Sequence, residues 1–137
     1  MSHVTVELDL PDHTSELRDT IEYVNNLKKR LSNHKDQRLS APMSVNEYEA
    51  LYEDIIKGLY YTGYLSTPAF NVQDKLEETY FTRYKHSPQL AKKLFWDHYE
   101  DIHHPYTLIK NRLYRIITEL NELYFRIHKR FPADYIE

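Results

Sequence analysis

Cysteine is absent from this 137-residue chain, and glycine occurs only twice. The first absence excludes a disulfide framework, thiol catalysis and thiolate zinc sites. The second leaves no material for a glycine-rich phosphate loop, a dinucleotide-binding turn or a hairpin-dense β fold. No stretch approaches the roughly 18 consecutive apolar residues of a membrane span. The first apolar residues alternate with polar ones, unlike the apolar core of a signal peptide. The expectation is therefore a cytoplasmic protein with no membrane contact. Net charge is −3, so no global basic signature for nucleic acid is present. The acidic excess lies N-terminal of Gly58, and the remainder is close to neutral. Tyrosine is abundant, with thirteen copies. A lean toward Tyr, Ile, Lys and Asn suits a small phage- or plasmid-type factor.

The length corresponds to one domain. Val4, Val6, Leu8 and Leu10 alternate with polar residues, the period of a half-buried strand, until Pro11. Residues 1–11 thus read as an extended β-like arm, and residues 12–137 as a single helical bundle. The first helix starts at Asp12 or Thr14, with Leu17, Ile21, Val24, Leu27 and Leu31 as its apolar stripe. A polar linker spans residues 32–42. Ser44-Val-Asn-Glu47 is a capping box, with Met43 placed to staple onto Tyr48. This second helix is expected to end at Gly63, and a third to open at Thr67-Pro68. Ser87-Pro88 starts a fourth, which Pro105 stops or kinks. In a fifth, over residues 106–130, Ile109, Leu113, Ile116, Leu120, Leu123 and Ile127 form a heptad seam, widened by Ile117 and Tyr124. The expected fold is all-α, a four- to five-helix bundle with the arm attached.

Residues 95–105 read FWDHYEDIHHP and gather histidines with acids. At about 100° per residue, His98 falls in the apolar arc of Ala91, Leu94, Phe95 and Ile102. It is expected to be a core histidine, bonded to a tyrosine hydroxyl or a carboxylate of a neighbouring helix. Glu100 and His103 fall on the opposite face with Trp96. Glu-x-x-His is the spacing of di-iron carboxylate bundles, but those need a second such pair and two further glutamates. This chain has no second pair, so no metal and no cofactor are assigned. His34, His86, His104 and His128 are read as C-terminal residues of helices, where an imidazolium favours the dipole. Met1-Ser2-His3 has the donors of a planar Cu(II) or Ni(II) site, taken as incidental. Adjacent acids such as Glu77-Glu78 diverge on a helix. No catalytic residue is assigned.

Aromatics off the core stripes point to a binding role. Trp96, Tyr114 and Phe125 face away from their helices' apolar seams, and Trp and Tyr dominate interface hot spots. A lone strand also needs a partner edge. The arm residues Val4, Val6, Leu8 and Leu10 therefore either pair between chains or lie in a groove of their own bundle. The leading expectation is a non-enzymatic protein–protein interaction module that binds a larger protein or itself as a homodimer. An alternative is a nucleic-acid-binding accessory protein. Its last helix carries Lys110, Arg112, Arg115, Arg126, Lys129 and Arg130 among aromatic rings. The acids of the second helix, Glu47, Glu49, Glu53 and Asp54, offer an internal counter-charge for that helix. A metal-dependent enzyme is the third reading.

Overall fold

A computed structural model describes residues 8–36 and 43–128. The described chain is mostly helical and contains no strand. Its segments are α1 (Thr14–Asp36), α2 (Val45–Asn71), α3 (Gln73–Arg83) and α4 (Pro88–His128). Because α3 follows α2 after one residue, Val72, the four segments make three joined rods. This differs from the four to five looped helices expected.

Each boundary has a local cause. Asp12 opens α1 by accepting from the Thr14 amide and hydroxyl, at 3.0 and 2.6 Å. Its carboxyl pKa is lowered mainly by these bonds. The first helix then continues to Asp36, into the expected linker. Ser44 caps α2 by accepting from the Glu47 amide at 3.1 Å. Met43 and Tyr48 both enter the core, as a staple requires. Ser87 and Pro88 open α4, with the Ala91 amide bonded to the Ser87 carbonyl at 2.9 Å.

Two expected helix ends do not occur. Gly63 and Pro68 lie inside α2, and Pro105 lies inside α4. Around Pro68, the Ser66 and Thr67 hydroxyls donate to the Gly63 carbonyl, each at 3.0 Å. Pro105 is bridged from outside: Phe70 of α2 packs on the His103 ring and also lies under the Lys110 ammonium. An internal proline costs about 3 kcal/mol of helix propensity, which tertiary packing on both of its sides can offset. The expected fourth and fifth helices are thus one rod of 41 residues, about 60 Å long at 1.5 Å per residue.

That rod carries two hydrophobic clusters. Its C-terminal half packs Ile109, Leu113, Ile116, Leu120, Leu123 and Tyr124 against α1 and α2, together with Val24, Leu27, Leu31, Leu51 and Ile55. Cross-links show the directions: in α2, Tyr48 reaches Asn121 at 2.7 Å and Phe70 meets His103, whereas His13 at the start of α1 meets Tyr106 at 3.1 Å and Lys35 near its end reaches Glu119 at 2.9 Å. So α2 runs antiparallel to α4, and α1 parallel to its second half. The N-terminal half of α4 forms a hairpin with α3 around Leu76, Tyr80 and Phe95.

Candidate functional site

The most exposed aromatic surface lies between α2 and α4. Tyr60 and Tyr64 are 77% and 74% exposed, and Tyr114 opposite is 57% exposed. Between the helices runs a groove of about 500 Å³, lined by Tyr52, Ile56, Leu59 and Tyr60 from α2 and by Lys110, Tyr114 and Ile117 from α4. Its floor is aliphatic and its rim carries phenol hydroxyls and one ammonium. Phe70, farther along α2, is also exposed and holds Lys110 over its ring, 5.7 Å from the centroid.

Of the aromatics expected to bind a partner, Tyr114 alone lines this groove. Trp96 and Phe125 are exposed and share its side of α4, but lie about 27 and 16 Å away along the axis. The Trp96 ring makes edge contacts with Phe95 and Tyr99. Tyr60, Tyr64 and Phe70 were not legible as site residues, because Gly63 and Pro68 read as helix ends. With α2 continuous, Tyr60 and Tyr64 stand one turn apart, and the tyrosine excess was the available signal.

In the arm, Val4 and Val6 lie outside the described residues. Leu8 and Leu10 are partly buried and not in a strand. Leu8 packs against the chain's own Leu76, Tyr80 and Phe95 cluster.

The histidines separate as follows. His98 is half-buried, and its Nδ1 lies 3.0 Å from the Tyr80 hydroxyl of α3. Desolvation lowers its pKa, partly opposed by Asp101. His103 is not on an open face: it is only 7% exposed, sandwiched between Phe70 and Tyr99 at 4.5 and 4.1 Å between ring centroids. Burial lowers its pKa and Lys110 lowers it further. Glu100 remains exposed, so the Glu100–His103 pair does not share an environment. Helical spacing alone puts His103 on the polar face, but the end of α2, expected from the sequence as a separate helix, covers it. His104 sits mid-helix, not at a C-terminus. His34 lies 3.4 Å from Glu47, and the His128 Nε2 lies 2.7 Å from the Met43 carbonyl. Among the described residues no three His, Asp or Glu side chains gather as metal ligands.

The basic residues of α4 divide between two sides. Arg112 and Arg115 line a groove toward α1, whereas Lys110 and Tyr114 line the one toward α2. Tyr124 is buried in the core. In this part of α4 Lys110 thus shares a groove with the Tyr114 ring, whereas Arg112 and Arg115 stand apart from it. Lys129 and Arg130 lie outside the described residues. Two of the α2 acids meet α1 instead, Asp54 pairing with Arg30 at 2.7 Å and Glu47 approaching His34, while Glu53 lies 3.7 Å from Lys57 of its own helix.

The chain matches no protein-family profile, no curated protein and no solved structure. Among the described residues no helix is long and apolar enough to cross a membrane. The class defined is a helical protein organised on one long helix.

Proposed function

We propose that this chain is a non-enzymatic protein–protein interaction module whose contact surface is the aromatic groove between α2 and α4. The observation that carries the reading is that exposed Tyr60 and Tyr114 line one groove with Ile56, Leu59 and Ile117, while Tyr64 stands exposed one turn beyond Tyr60 on α2. Tyrosine presents a large apolar ring with a polar tip and loses little entropy on ordering, the property that enriches it at interface hot spots. The groove suits an aliphatic or aromatic anchor from another protein, with Lys110 and the phenol hydroxyls as polar rim. The test is affinity capture from nuclease-treated lysate of the source cells, using wild type and Tyr60→Ser/Tyr114→Ser, with light scattering to detect self-association. A partner or dimer held by wild type and lost by the variant is expected. Identical recovery and identical mass for both would refute the assignment.

A further inference from the structure

On the other side of α4, the seam with α1 has a different chemistry. A groove of about 340 Å³ is lined by Val24, Asn25 and Lys28 from α1 and by Arg112, Arg115, Ile116 and Glu119 from α4. Val24 and Ile116 are buried and close its floor. Lys28, Arg112 and Arg115 are exposed, and among the described residues none of them enters an ion pair. The nearby charges are already committed: Glu119 is held by Lys35 at 2.9 Å, and Arg30 by Asp54 at 2.7 Å. Three cations therefore face one groove whose one lining carboxylate, Glu119, is already paired with Lys35, which focuses positive potential there despite the negative net charge of the chain.

We infer that the α1/α4 groove binds the phosphate backbone of a nucleic acid, with Lys28 on one wall and Arg112 and Arg115 on the other. Guanidinium groups match phosphate oxygens in a two-pronged geometry, and the lysine adds a point charge. Arg112 and Arg115 lie about 4.5 Å apart along the axis, and Arg126 continues the same side of α4 about 16 Å farther on. Glu122 stands between them, so an extended polyanion would be held at two places. This run favours a polymer over an isolated phosphate. No aromatic ring lines the groove, so bases are not stacked and binding is independent of base sequence. The surface lies on the opposite side of α4 from the aromatic groove and does not depend on the protein-binding reading.

Fluorescence polarisation with labelled 20-nucleotide single-stranded and duplex DNA tests this, with inorganic pyrophosphate as competitor. The wild type is expected to bind at low salt. On single strands log K should fall with log salt at a slope on the order of −2, as three phosphate contacts imply. Lys28→Gln/Arg112→Gln/Arg115→Gln should weaken binding at least tenfold. A charge-matched control at exposed lysines elsewhere, Lys75→Gln/Lys85→Gln/Lys92→Gln, should bind as wild type. Arg115→Glu alone provides a second variant, and circular dichroism confirms that each is folded. The inference is overturned if wild type binds neither DNA, if the groove variants bind like wild type, or if groove and control variants lose equally. It is also overturned if pyrophosphate binds as tightly as the oligonucleotide.

Discussion

At residue 103 an imidazole is held between Phe70 and Tyr99, and its Nε2 meets no hydrogen-bond partner among the described residues. The neutral ring suits that setting better than the charged one. Both His98 and His103 have pKa values lowered by burial, whereas in the unfolded chain they titrate near the ordinary value of about 6.5. Below that value the unfolded chain binds more protons than the folded one, so stability rises with pH in this window. The contribution is complete above about pH 6.5 and is lost as pH falls through the folded values. The melting temperature should thus be lower at pH 5.5 than at pH 7.5. His103→Phe keeps the aromatic sandwich and removes one of the two groups, so it should flatten this profile. Calorimetry at both pH values checks it, and an unchanged difference would argue that His103 does not titrate this way. At His98 the hydrogen bond with the Tyr80 hydroxyl is the relevant contact. Tyr80→Phe should cost about 1 kcal/mol in urea unfolding. His98→Leu should be better tolerated than His98→Asp, which places an acid in a largely apolar setting.

At the scale of elements, the two glycines of α2 have opposite meanings. A Cβ at Gly58 would lie 3.2 Å from Tyr23 Cε1 and 3.3 Å from Leu113 Cδ2, because α1, α2 and α4 come together there. A Cβ at Gly63 would meet nothing within 4 Å. Alanine is favoured over glycine inside a helix by about 1 kcal/mol, whereas overpacking costs about 1–3 kcal/mol. Gly63→Ala should therefore raise stability by up to about 1 kcal/mol, and Gly58→Ala should lower it by a similar amount. Denaturant midpoints measure both. A destabilised Gly63→Ala would mean that the position needs a conformation alanine resists, as expected had the helix ended there.

For the whole molecule, α4 is the common member of both hydrophobic clusters. Trp96, the sole tryptophan, contacts Phe95 and Tyr99 beside the α3 cluster. The other cluster contains Leu113, fully buried against α1 and α2. If one helix couples the two, Trp96 fluorescence and far-ultraviolet circular dichroism should report a single unfolding transition. Leu113→Ala, a cavity costing about 2–5 kcal/mol, should shift both signals together. A Trp96 transition that stays in place while the dichroism shifts would show that the α3 hairpin unfolds on its own.

Apolar spacing along the chain was enough to determine helical character, the 109–123 seam, the Ser44 cap and the Ser87-Pro88 start, because each depends on residues within one or two turns. Helical spacing likewise puts His98 on the apolar arc, where Tyr80 meets it. Gly63, Pro68 and Pro105 could not be read locally. Each carries a propensity for ending a helix, and at Pro105 it is overridden by contacts between residues far apart in sequence, Phe70 with His103 and Lys110. The same long-range packing decided the surfaces. It buried His103 and brought Tyr60 opposite Tyr114. It also turned Glu47 and Asp54 of α2 toward α1, leaving Lys28, Arg112 and Arg115 facing one groove. Periodicity shows which face of a helix is apolar, but only the arrangement of neighbouring helices settles what covers that face and which charges meet across a seam.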